Sequence, residues 1–163
     1  MPFRNFYKEE KEKQSIQCEE VVEGALNIIS SSLINKKITL KSDFQCHKTI
    51  HVLANEMRQV ILNLIKNAED ILIEKEIDSP TIWVRTYHDK SCAYLEVSDN
   101  AGGIPEKIKE KIFEPYFSTK PKKEGTGLGL YMSKLIIEDH CHRKLYVKNG
   151  KEGACFTIQI TFI

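Results

Sequence analysis

The stretch NEMRQVILNLIKNAEDIL, residues 55–72, constrains this chain more than any other. Met57, Val60, Ile61, Leu64, Ile65, Ala68 and Leu72 recur at helical spacing and form one apolar stripe. A helix this one-sided is stable only when a second layer covers the stripe. Material for that layer lies on both sides of it. Residues 81–87 and 93–98 alternate apolar and polar around HDKS and read as a β-hairpin. RKLYVKN and GACFTIQITFI read as a second, closing hairpin. KITLKSDF (37–44) reads as a further strand, with TIHVL as its candidate partner. Residues 18–34 carry another helical stripe, and 128–139 predict a third helix whose apolar face is Leu128, Tyr131, Met132, Leu135 and Ile136. Pro105 is placed to open a short helix over EKIKEKIF. This order predicts an α+β two-layer sandwich, with helices packed on one face of a mixed sheet. A chain of 163 residues, 41% of them apolar, can bury such a core as one domain.

Charge and composition exclude several roles. Net charge is +1, so no global field draws the chain to nucleic acid or to a membrane surface. No apolar run approaches a membrane span, and MPFRNFYKEEKEK is too polar for a signal peptide. Five cysteines are scattered without a C-x-x-C pair, as expected of reduced thiols in a cytoplasmic compartment. Cys141 lies between His140 and His142, but adjacent residues do not converge well on one tetrahedral ion, and HCHR is not read as a metal site.

Four stretches carry chemistry. Beside the stripe of the long helix run Gln59, Asn63, Asn67 and Asp70, stacked on one face. A solvated helix edge normally takes Glu, Lys or Arg, because Asn costs roughly 0.6 kcal/mol relative to Ala in a helix interior. Amide oxygens are hard, neutral ligands suited to a Mg²⁺ ion that also touches phosphates and water. The second stretch is DNAGGIP, 99–105. It is a competent turn by itself. A carboxylate fixed at a strand end can also accept a hydrogen bond from the exocyclic amine of adenine, while Gly102 and Gly103 let backbone lie flat against a purine.

The third stretch, IFEPYFSTKPKKEG (112–125), is aromatic, then polar, then basic. It reads as a mobile loop or lid anchored by Phe113 and Phe117, with Lys120, Lys122 and Lys123 as candidates to approach phosphates. The fourth is GTGLGLYMSK (125–134), where three glycines precede an apolar helix pattern. Side chains missing from the first turn of a helix leave its N–H groups and positive dipole end open to a polyphosphate. Close approach to a neighbouring helix explains one such glycine more readily than three. No P-loop is present, and the dinucleotide fingerprint fails because a charged loop, not a strand, precedes G-x-G-x-G.

In this order the four stretches resemble the N, G1, F and G2 boxes of the catalytic ATP-binding domain of bacterial sensor histidine kinases. The resemblance covers roughly residues 16–163, with 1–15 similar to the end of a dimerisation helix and linker. It implies the Bergerat fold, with a mixed, mostly antiparallel sheet, and it implies ATP and Mg²⁺ as ligands. By this resemblance Asn63 and Asn67 are the catalytic amides that contact the metal and phosphates, with Asp70 beside them. Asp99 binds adenine, with Ala101, Gly103 and Ile104 around it. Phe113 and the segment to Lys120 form the lid hinge. Gly125, Thr126, Gly127, Leu128, Gly129 and Leu130 shape the phosphate end. Two departures stand out: Ala101 occupies the place of the first glycine after the aspartate, and HCHRK replaces a glycine pair before the last hairpin.

Within the wider superfamily, ATPases carry a glutamate one turn before the metal-binding asparagine. That place is Asn63 here, an amide that cannot act as a general base, and Glu56 lies nearly two turns further back. The expected activity is therefore γ-phosphoryl transfer to a histidine rather than steady hydrolysis. The alternatives are a nucleotide-binding regulatory module without kinase activity and a Bergerat-fold ATPase. None of His47, His51, His88, His140 and His142 has the helical context of an acceptor. The chain thus reads as the catalytic part of a longer kinase, whose partners are a histidine-bearing dimerisation domain and a response regulator.

Overall fold

The computed structural model describes residues 14–117, 128–139 and 142–162. The elements are β1 (Gln14–Gln17), α1 (Cys18–Asn35), β2 (Thr39–Phe44), β3 (Thr49–Val52), α2 (Ala54–Glu74), β4 (Thr81–His88), β5 (Cys92–Asp99), α3 (Gly129–Glu138), β6 (Arg143–Asn149) and β7 (Ala154–Thr161). Five strands form one sheet in the order β2-β4-β5-β7-β6. Among the described strands of this sheet only β2 and β4 run parallel; the other neighbours are antiparallel. The three helices pack over it, and α2 touches α1, α3 and β5. The fold class is the expected one, an α+β sandwich with a mixed, mostly antiparallel sheet.

All seven apolar residues of the predicted α2 stripe are buried, from Ile65 at 0% to Ala68 at 5% exposure. They meet the inner rows of the sheet: Ile82 and Val84 of β4, Leu95 and Val97 of β5, and Ile158 and Ile160 of β7. The β4–β5 hairpin closes as predicted. Its turn is fixed by Asp89, whose Oδ1 accepts the N–H groups of Ser91 at 2.8 Å and Cys92 at 2.7 Å. On the sheet's other face Glu96 accepts hydrogen bonds from Arg85 at 2.9 Å and the Tyr87 hydroxyl at 2.6 Å. That pairing makes a nearly buried carboxylate tolerable.

Four expectations are corrected. First, β3 does not pair with β2. The residues after β2 are held against β4 instead: Gln45 N–H donates to the Thr86 carbonyl at 2.8 Å, and Cys46 N–H to Thr86 Oγ1 at 3.1 Å. The chain is thereby led away from β2, and β3 pairs antiparallel with β1, burying Ile50 and Val52. The parallel β2–β4 pair then needs a long crossover, which β3 and α2 supply. Second, Gln14–Gln17 form a strand, β1, where no strand was expected. Residues 1–13 lie outside the described residues.

Third, EKIKEKIF is not one helix. It forms two separate 3₁₀ turns, Glu106–Ile108 and Lys111–Phe113. Eight residues are few for an α-helix, and the two turns instead let Ile108, Ile112 and Phe113 all reach the core. Fourth, α3 is turned relative to its predicted face. Ser133 and Ile137 are its buried residues, whereas Met132 and Leu135 are 48% and 49% exposed. The inward side thus carries one apolar and one polar residue.

Candidate functional site

Two clusters meet along α2. The first lies at mid-helix. Asn63, Asn67 and Asp70 are half-buried on its predicted polar edge. Asn63 Nδ2 donates to Ser133 Oγ of α3 at 3.0 Å. A Cβ on Gly129, the first residue of α3, would stand 2.7 Å from Asn63 Oδ1. Gly129 is therefore a close-approach glycine: α3 starts directly against the amide because no side chain intervenes. Asp70 pairs with Lys66 at 3.2 Å, one turn back. Leu128 caps α3, its carbonyl accepting the Met132 N–H at 2.9 Å. Leu130 is partly buried against the core.

The second cluster lies at the C-terminal end of α2. Asp99 ends β5 and is 6% exposed. Ala101 N–H donates to its Oδ1 at 2.9 Å. Burial pushes the Asp99 carboxyl above its ordinary range, against the pull of the Ala101 and Ala154 N–H groups and the Lys75 charge. Gly153 is pressed against it: a Cβ there would be 2.5 Å from Asp99 Oδ1 and closer still to its carbonyl oxygen.

The loop after Asp99 is tied down at every step. Asn100 accepts the Thr81 N–H at 2.9 Å and donates to the Ser79 carbonyl at 3.1 Å. Lys75, the C-cap of α2, donates to the Ala101 carbonyl at 2.9 Å. Gly102 N–H donates to the Glu152 carbonyl at 2.9 Å. Gly102 and Gly103 have φ of +92° and +85°, which residues with a Cβ rarely adopt. Ile104 is clamped by one side chain: Asn149 Oδ1 accepts its N–H at 2.8 Å, and Asn149 Nδ2 donates to its carbonyl at 2.7 Å. Phe113 anchors the following turn, edge-on to Phe156 at 6.2 Å with Lys134 Nζ 4.6 Å from its ring centre.

The rise of a helix places Asn63 about 18 Å from Lys75, with Asn67 and Asp70 on the turns between. One end of this track presents a desolvated carboxylate in a glycine loop, suited to a planar ligand bearing an N–H donor. The middle presents paired amides at a helix start, suited to a hard cation and an anion. Of the expected site residues, Asn63 and Gly129 are in direct contact, as are Asp99 and Ala101. Lys120, Gly125, Thr126 and Gly127 lie outside the described residues. Sequence reading missed Ser133, Asn149, Gly153 and Lys75. Only Gly153, in the turn KNGKEGA, carried a visible signal, and it read as turn chemistry.

The family model described as histidine kinase-, DNA gyrase B-, and HSP90-like ATPase matches residues 53–162. The two-component sensor PprA of Pseudomonas aeruginosa is 32% identical over 142 residues, which are 85% of this chain and 15% of that protein. Sporulation kinase A of Bacillus subtilis is 42% identical over 86 residues, 53% of this chain and 13% of that protein. The chain thus spans a small fraction of the length of these relatives. Among solved structures, the catalytic domain of histidine kinase ThkA superposes with a TM-score of 0.80 at 26% identity, covering 92% of this chain and 95% of that one. ThkA in complex with the response regulator TrrA superposes at 0.75 with 21% identity, covering 98% of this chain and 46% of that one, a likeness of fold. The chain therefore belongs to the histidine kinase-, DNA gyrase B- and HSP90-like ATPase family, as an ATP-binding catalytic domain of the sensor histidine kinase kind.

Proposed function

We propose that this domain binds ATP with Mg²⁺ and, within a longer protein, delivers the γ-phosphoryl group to a histidine of a separate dimerisation domain. A response regulator then receives it. The observation that carries the reading is Asp99: a nearly buried carboxylate at a strand end, backed by Gly153 and fronted by a positive-φ glycine loop. Its remaining acceptor capacity suits the exocyclic amine of adenine, and Ala101, Gly103 and Ile104 supply the surrounding wall. Asn63 and Asn67 would hold the metal, beside Asp70 and the start of α3. The donor set fits: two neutral amide oxygens bind Mg²⁺ weakly enough to need phosphate oxygens as co-ligands. Bound there, Mg²⁺ would neutralise charge on the phosphates, which is most of what phosphoryl transfer requires of a protein.

The chain's own residues supply position. Asp99 and its loop fix the base, α2 sets the spacing from base to phosphates, and the N–H groups opening α3 face the anionic end. Asn63 cannot deprotonate water, so the site favours transfer to a supplied nucleophile over hydrolysis. No helix among the described residues is long and apolar enough to cross a membrane. We place the domain in the cytoplasm, where ATP is available, whether or not the full protein is anchored.

Labelled ATP tests the division of roles. Incubated alone, the chain should take up no label; with a dimerisation domain, label should appear on that domain's histidine. Strong label on the isolated chain, or steady phosphate release without a partner, would overturn the reading.

A further inference from the structure

We infer that Ser133 is a positioning residue for the metal site: it holds the Asn63 amide so that its oxygen faces the start of α3. The inference rests on the assignment of Asn63 to the metal made above. Ser133 sits on the core side of α3 at 3% exposure, in a seat where an apolar residue is the ordinary choice. A hydroxyl buried there is costly unless bonded, and its partner is Asn63 Nδ2 at 3.0 Å.

An asparagine side chain presents two faces of nearly equal shape, one a donor and one an acceptor. A metal can use only the oxygen. With Nδ2 committed to Ser133, the amide lies against Gly129, where a Cβ would stand 2.7 Å from Oδ1 and 3.0 Å from Nδ2. The same bond joins α2 to α3, whose first turns follow the glycine-rich stretch. Ser133 and Gly129, four residues apart on one face of α3, thus act together: one fixes which amide atom is the donor, the other leaves the amide room. Without the hydroxyl the amide loses its reason to prefer this rotamer, and coordination must first select it.

The test is a Mg²⁺ titration of binding to a non-hydrolysable ATP analogue, compared with binding in EDTA. Ser133→Ala should raise the Mg²⁺ needed for half-saturation about five-fold, the worth of one neutral hydrogen bond, and leave affinity in EDTA unchanged. Ser133→Thr, which keeps the hydroxyl, should restore the wild-type requirement. In an Asn63→Ala background, Ser133→Ala should add nothing. A readout free of metal and nucleotide is the Asn63 side-chain NH₂ signal in NMR, expected to exchange slowly in wild type and fast in Ser133→Ala. Equal losses with and without Mg²⁺ would mean a general packing role and overturn the inference. So would an unchanged Mg²⁺ requirement in Ser133→Ala, while the metal assignment survived. A wild type indifferent to Mg²⁺ would overturn both.

Discussion

Asp99 is the residue on which function and stability pull apart. Its carboxyl is raised above the ordinary range by burial, so the native state holds a proton that the unfolded chain has already released. The sign follows: stability falls as pH rises from the unfolded pKa through the folded one, and stays low above it. Urea unfolding followed upward from about pH 4, the ordinary carboxyl value, should show wild type losing stability relative to Asp99→Asn, with no further divergence once the folded carboxyl has ionised. A constant difference would mean that the carboxylate is not desolvated. Gly153 has an equally local role. Its missing Cβ lies against Asp99 backbone, which cannot yield as a flexible side chain would. Gly153→Ala should destabilise by about 2–3 kcal/mol in urea unfolding and weaken nucleotide binding together. Both residues sat in plain view as Asp-Asn-x-Gly-Gly and Gly-Lys-Glu-Gly, but only the first could be read. A strand-end carboxylate announces chemistry, whereas a turn glycine announces only a turn until its neighbour across the sheet is known.

At the scale of elements, periodicity carried the reading of α2, and every residue of its stripe is buried. The same logic failed for Glu69, which points inward at 0% exposure between α1 and α2. Ser32 Oγ donates to it at 3.0 Å, and Lys36 forms an ion pair with it. Its nearer partners come from α1 and the residue that caps it, with Lys66 of α2 more distant at 3.8 Å, so the pattern within α2 could not mark its burial. Glu69→Ala should cost about 1–3 kcal/mol in chemical denaturation, because it leaves the Ser32 hydroxyl without its acceptor while Lys36 returns to solvent; Glu69→Gln should cost less. A loss below about 1 kcal/mol for the alanine variant would show that the network contributes little. The inward side of α3 was illegible for a related reason. Ser133 is buried on the inward side together with Ile137, and its partner Asn63 lies on α2, where no pattern within α3 could point to it. Strand pairing was legible where a short turn joined the partners, in β4–β5 and β6–β7. It was not legible for β3, whose partner β1 lies across the whole of α1.

For the whole molecule, one parallel pair in an otherwise antiparallel sheet places α2 across the core as the crossover. That single connection sets the site, because the helix bringing β2 into register with β4 also carries the amides and delivers Lys75 to the Asp99 loop. The central claim is that this track holds a purine triphosphate by its base at one end and its phosphates at the other. Calorimetric titration of ATP and GTP, each with Mg²⁺, into wild type and Asp99→Ala tests it most directly. ATP should bind wild type and lose at least about ten-fold in Asp99→Ala, the worth of a hydrogen bond to a charged group. GTP, which offers an oxygen where adenine offers an amine, should bind wild type poorly. Equal affinity of wild type for both nucleotides, or undiminished ATP binding by Asp99→Ala, would contradict the account.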